Sequence, residues 1–275
     1  MIVDSHQHFW NYQPRRDAWI DDSMAVLKRD FSPSELLQLM QANGVDRCVA
    51  VQADPSEEET RFLLSLADTC DGIAGVIGWV DLCAQNAADR LERFAQHPKF
   101  KGVRHLVQSE PDPDFMLRAD FKRGIKALAA LGLTYDLLIK PHQMLSAIAL
   151  VKAFPDQPFV LDHLGKPQSH NGLDQQWARE LFELAAHPNV YAKLSGLVTE
   201  TENFRFTKHQ FKPLLDTALE AFRPERLLFG SDWPVCLLAA SYGEVLDIVK
   251  EFIAELSSDQ QAAIMGNNAR YFYQL

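Results

Sequence analysis

Eight short apolar runs, each followed by a longer amphipathic stretch, recur from one end of this 275-residue chain to the other. The runs are IVDSH at 2–6, RCVAVQA at 47–53, IAGVIGWV at 73–80, KGVRHLV at 101–107, LTYDLLIK at 133–140, FVLDHL at 159–164, VYAKLSG at 190–196 and LLFGSDW at 227–233. Most are nearly continuous in Val, Ile, Leu and Phe, as parallel strands are when helices cover them. The stretches between them carry helix signals. Ser32, Pro33 and Glu35 supply a cap, a first-turn proline and an acid three residues after the cap, and Asn43-Gly44 ends that helix. Ser56 and Glu59 repeat the capping-box spacing, Leu128, Leu131 and Gly132 close another helix, and 242–256 and 259–265 have helical periodicity. Eight β-then-α units in a chain of this length predict an α/β fold, a single (β/α)8 TIM barrel spanning 1–275 as one domain. An open doubly wound sheet would want a glycine-rich loop after its first strand, and that place is held by HQHFW.

The net charge of −10 repels phosphate backbones and anionic headgroups, so neither nucleic acid nor a membrane surface is an expected partner. A small anionic substrate stays compatible, because a site can be locally basic. The four cysteines, Cys48, Cys70, Cys83 and Cys236, form no CxxC pair, so a structural zinc site is not indicated and reduced thiols are expected. The start MIVDSHQHFW has neither the basic nor the apolar region of a signal peptide, and no apolar run reaches membrane-spanning length. A cytoplasmic protein is expected. Its oligomeric state stays open, with a homo-oligomer compatible.

In a strand, residues i and i+2 point to one face, so Asp4, His6 and His8 are expected to share a face, the histidines nearest the strand's C-terminal end. In barrel enzymes that end is the active-site mouth. Two imidazoles there can converge on one metal ion or one substrate; the plain alternative is a hydrogen-bonded pair. His163 ends FVLD ahead of a turn, and Asp232 ends LLFGS ahead of Trp233-Pro234, where a carboxylate either caps a helix or serves a site. Gln52, Trp79, Arg104, His105, Lys140, Lys193 and Ser195 also end strands. The Arg and Lys among them can bind a carboxylate or an oxyanion, or pair with acids of the chain.

The segments VDSHQHFW at 3–10, GVIGWVDL at 75–82, KGVRHLVQ at 101–108, DHLGKP at 162–167, KLSGLVTE at 193–200 and LLFGSDWPVCLLAASY at 227–242 cover nearly the whole chain. Together they resemble the amidohydrolase superfamily, in particular its sugar-lactonase branch of L-fuconolactone and L-rhamnonolactone hydrolases. The resemblance implies a lactone hydrolase with Asp232 as general base toward the attacking water and His163 beside it. It implies that His6, His8 and Asp232 hold one divalent metal where a metal is used, with zinc suited to those ligands. The same branch includes lactonases that work without metal. Two-metal members bridge their ions with a lysine of the fourth strand; this chain has Arg104-His105 there, so one metal or none is expected.

With a sugar lactone over the mouth, His163, Arg104 and Lys140 are the candidate donors to the oxyanion. Trp79 and Trp233 are candidate walls for the ring, and Trp10 is assigned to packing. Carboxylated aromatic or muconic-type lactones are the alternative substrates, favoured if several cations converge on the mouth. An amide hydrolase or a metal-dependent decarboxylase on the same site is a further alternative. A non-catalytic barrel is disfavoured because all four core groups are present.

Overall fold

Each apolar run forms a strand that pairs in parallel with the next. The computed structural model describes residues 1–168 and 172–275. Its strands are β1 (Val3–Gln7), β2 (Arg47–Val51), β3 (Ile73–Gly78), β4 (Phe100–His105), β5 (Thr134–Leu137), β6 (Phe159–Leu161), β7 (Val190–Leu194) and β8 (Leu227–Phe229). They lie side by side in chain order. The ring closes between the first and last: His8 N donates to Trp233 O at 2.7 Å, and Asp232 N donates to His6 O at 2.8 Å. The bonds that close the (β/α)8 barrel are therefore the ones that set His6, His8 and Asp232 beside one another.

Of the helix signals, the Gly44 stop and the Ser56 cap hold, but Ser32 makes no side-chain cap: its Oγ meets Ser34 Oγ at 2.9 Å, and Glu35 pairs with Arg29 at 2.7 Å. Pro33–Asn43 is a helix that stops at Gly44, whose φ of 69° suits a residue without a Cβ. Ser56 Oγ accepts from Glu59 N at 3.2 Å at the start of Glu57–Thr69. The periodicity at 242–256 ends early, at Phe252. That at 259–265 opens a longer run: Ser258–Ala262, a π turn over Ala263–Asn267, then Asn268–Tyr273. This last helix covers the bottom of the barrel, where Phe272 and Tyr273 pack with Val3, Val49, Ile77, Val160 and Leu228. No described helix is long and apolar enough to cross a membrane.

One expectation about β1 needs correcting. Asp4 does not share a face with His6. The pairing of β1 shifts register between Asp4 and Gln7, which breaks the two-residue alternation. Asp4 turns to the helix layer, where its carboxylate accepts from Ser231 N at 2.9 Å, Ser231 Oγ at 2.6 Å and Tyr242 OH at 3.2 Å. His6 points into the barrel.

Candidate active site

Four side chains meet at the C-terminal mouth of the barrel. Oδ1 of Asp232 lies 3.4 Å from Nε2 of His8, 3.8 Å from Nε2 of His6 and 4.0 Å from Nε2 of His163. All four residues are at most 4% exposed. Backbone strain helps aim two of them. His163 and Asp232 have φ of 54° and 57°, the left-handed region that costs a non-glycine residue about 1–3 kcal/mol. The turn at His163 lets adjacent residues face the interior together: Asp162 reaches down into the barrel, and His163 reaches the cavity. Gly196 gives the His163 ring its space, since a Cβ there would sit 2.3 Å from Nδ1.

Hydrogen bonds decide which ring nitrogens carry protons. His8 Nδ1 lies 2.7 Å from the carbonyl of Val51. A carbonyl only accepts, so Nδ1 carries the proton and Nε2 presents a lone pair to Asp232. His163 Nδ1 meets Ser195 Oγ at 2.9 Å. Burial pushes all three histidines down, His163 to about 4, so they are neutral near neutral pH. Burial alone would raise the carboxyl of Asp232, but the positive charge that the surrounding histidines carry once protonated, His163 foremost, holds it below the ordinary range. The centre thus gathers the carboxylate of Asp232 and the lone pair of His8 with little to donate to them. Such a set draws in a water molecule or a cation. The ligand atoms of His6, His8 and Asp232 all lie within 4.8 Å of one another, which fits one divalent ion with nitrogen and oxygen ligands.

Beneath this centre lies a buried ionic layer. Lys193 Nζ sits 2.6 Å from Asp136 Oδ2, 2.9 Å from Asp162 Oδ1 and 3.1 Å from His6 Nδ1. Tyr273 OH, from the C-terminal helix, donates to Asp136 at 2.9 Å. Arg104 NH1 lies 3.2 Å from Asp162 Oδ2 and 3.1 Å from His6 Nε2, and its NH2 is held by the carbonyl and side chain of Gln52. Burial opposes charge on Asp162, yet Lys193, His6 and Arg104 outweigh it and hold its carboxyl well below the usual range. Lys193 is therefore a paired structural cation rather than a substrate ligand.

Above the centre opens a cavity of about 220 Å³ whose lining includes His8, Arg104, His163, Asp232, Trp19 and Gln108. Three residues expected at the substrate lie elsewhere. Trp233 is fully buried and packs against Phe9 and Phe31, with ring centroids at 6.2 and 5.2 Å, because it follows Asp232 and points away from the interior. Trp79 stacks on His105 with centroids 6.5 Å apart, on the outer side of the sheet, since His105 alternates with inward-facing Arg104. Lys140 is exposed after β5 and lines a neighbouring cavity with Lys166. Trp10 packs on Phe31, as assigned.

Sequence reasoning missed Trp19 and Gln108. Trp19 follows β1 in its long loop and is 46% exposed at the cavity rim, a large ring left in the open. Gln108 carries a buried Oε1 with no hydrogen-bond partner. Nothing in the sequence marks Trp19. Gln108 lies in a quoted motif, yet only the cavity gives it a role.

A sequence profile described as amidohydrolase matches residues 3–275. The chain belongs to the amidohydrolase family. Among its relatives is the L-fucono-1,5-lactonase of Burkholderia multivorans (strain ATCC 17616 / 249), 42% identical over 99% of this chain and 96% of that protein. The L-fucono-1,5-lactonase of Burkholderia ambifaria is 35% identical over 99% of this chain and 95% of its own length. A crystal structure of an amidohydrolase from Burkholderia multivorans with bound zinc superposes with a TM-score of 0.96 at 42% identity, covering 100% of this chain and 99% of that one. This amidohydrolase therefore shares its overall fold with that structure.

Proposed function

We propose that this amidohydrolase opens a neutral sugar-acid lactone of the L-fucono-1,5-lactone type to its aldonic acid. What carries the substrate class is the near full-length likeness to two L-fucono-1,5-lactonases, at 42% and 35% identity. The site geometry supports the chemistry. Asp232 is the general base: its carboxylate is ionised, buried and flanked by the Nε2 lone pair of His8. Both groups accept hydrogens from one water molecule and aim its oxygen at the lactone carbonyl. As that oxygen bonds to carbon, Asp232 takes one of its protons. His163, when its Nδ1 accepts from Ser195, presents Nε2–H to the oxyanion. Collapse of the tetrahedral species breaks the ring C–O bond, and Asp232 returns its proton to the departing alcohol oxygen. The acid formed then ionises, so each turnover releases a proton.

His6, His8 and Asp232 are the residues that would hold a divalent ion, with zinc the best match to two imidazoles and a carboxylate. When bound, such an ion supplies Lewis-acid activation and lowers the pKa of water toward about 7. Trp19 offers the sugar ring an apolar face, and Gln108 offers a hydroxyl an acceptor. The four cysteines are free thiols, in keeping with a cytoplasmic place of work.

The carboxylated-lactone alternative finds less support. Arg104 is engaged with Asp162, His6 and Gln52, and Lys166 pairs with Glu200 at 2.8 Å. The cations in the cavity lining are thus already committed, which suits an uncharged polyol.

The test is pH-indicator hydrolysis of L-fucono-, L-rhamnono- and D-galactono-lactones and a muconic-type lactone, before and after chelation. Rapid acid release from one of the sugar lactones is expected. Turnover of the muconic-type lactone alone would overturn the reading.

A further inference from the structure

His6 has a cation at each ring nitrogen: Lys193 Nζ stands 3.1 Å from Nδ1, and Arg104 NH1 stands 3.1 Å from Nε2. A neutral imidazole has one lone pair, so only one of the two can donate to it. With the ring proton on Nδ1, that proton meets Asp162 Oδ1 at 3.3 Å, and Lys193 keeps its bonds to Asp136 and Asp162. The lone pair on Nε2 then belongs to Arg104. With the proton on Nε2, it would point at the guanidinium. The first arrangement satisfies more partners and is the one assigned here.

Nε2 is also the atom that His6 must offer to a metal ion held with His8 and Asp232. We propose that Arg104 sets the metal affinity of this site by competing with the ion for the Nε2 lone pair of His6. Three observations support competition rather than coexistence. Arg104 cannot withdraw at little cost: it is 3% exposed and tied to Asp162 Oδ2 at 3.2 Å and to Gln52 Oε1 at 3.2 Å. The buried charges nearly balance already, with Arg104 and Lys193 set against Asp136, Asp162 and Asp232. A divalent ion would add two positive charges beside two resident cations, in surroundings that screen them weakly. The layer beneath the site thus does two jobs. It orients His6 through Asp162, and it keeps an ion weakly held through Arg104, so that His8 and Asp232 stay available to water. The inference rests on the ligand set described above and not on the identity of the substrate.

The experiment is calorimetric titration of zinc into chelator-stripped protein, without substrate, for the wild type and for Arg104→Met, Arg104→Lys and His8→Asn. Zinc binding to Arg104→Met is expected to tighten at least about tenfold, the scale on which outer groups tune metal sites. Arg104→Lys keeps the charge but presents a single ammonium in place of the fork, and should tighten binding by a smaller factor. It also serves if the methionine variant does not fold. His8→Asn should lose the site. Unchanged or weaker zinc binding in the folded Arg104 variants would overturn the proposal, as would tightened binding that survives removal of His8. Failure of the lactone assay leaves all of these outcomes readable.

Discussion

Nε2 of His8 faces Oδ1 of Asp232 across 3.4 Å with no proton to share, because the one proton of the His8 ring is given to the carbonyl of Val51. Lone pair against carboxylate is an unfavourable contact, relieved when a water or a cation enters. Asp232→Asn puts an N–H donor where the carboxylate oxygen stood. Hydrolysis should fall by at least about 10³-fold, within the range of a positioned base. Stability should hold or rise by about 1 kcal/mol, the worth of one added hydrogen bond. Steady-state rates and urea unfolding of the same preparation check both halves. Near-normal turnover would remove Asp232 from the reaction.

Lys193 illustrates the opposite case, a charge that serves the fold. It is fully buried between Asp136 and Asp162. Lys193→Met leaves those carboxylates facing one another without their cation, and should cost about 3–5 kcal/mol of unfolding free energy. Urea midpoints measure this, and a loss under 1 kcal/mol would mean that neighbouring groups rearrange to cover the gap.

The cavity wall separates recognition from chemistry. Trp19→Ala and Gln108→Leu should each raise KM about 3–10-fold with kcat within about twofold, as expected for loss of one ring contact or one hydrogen bond. Trp233→Ala should instead destabilise the protein by about 3–5 kcal/mol, since its ring is interior packing. Kinetics and unfolding of the three variants distinguish a wall from a core residue.

His163 makes stability depend on pH. Its folded value is about 4 against an ordinary 6.5, so between those values the unfolded chain binds a proton that the folded one does not. Its contribution is therefore complete above 6.5 and is lost as pH falls toward 4, with a slope of up to about 1.4 kcal/mol per pH unit. Between about pH 7 and about pH 5, wild type should lose more stability than His163→Asn. Parallel losses in the two proteins would show that the fold does not hold His163 neutral.

How far the site could be read in advance depended on backbone regularity. Where alternation along a strand holds, parity sorts the residues: Arg104 faces in and His105 out, and the same rule would have moved Trp233 outward, whereas Trp79, two residues after inward-facing Ile77, leaves the alternation to stack on His105. Where the chain departs from it, parity misleads. The register shift after Asp4 turns that carboxylate away from His6, and the left-handed turn at His163 brings Asp162 and His163 inward together. Asp162 went unnoticed because its role exists only through Arg104, Lys193 and His6, which come from three other strands.

Local chemistry determined the architecture and the core of the site. Apolar runs spaced by amphipathic segments can bury themselves as alternating strands and helices, and His6, His8, His163 and Asp232 sit where strands end, so the barrel and the gathering of these four at its mouth follow from the order of residues alone. The proton positions, the ionic layer and the cavity wall were decided only by the closed barrel. Each depends on atoms brought within about 3 Å from distant parts of the chain. Val51 fixes the proton of His8, Arg104 claims the lone pair of His6, and Tyr273 reaches Asp136 from the last helix. Distances of that kind are properties of packing, and no spacing along the chain encodes them.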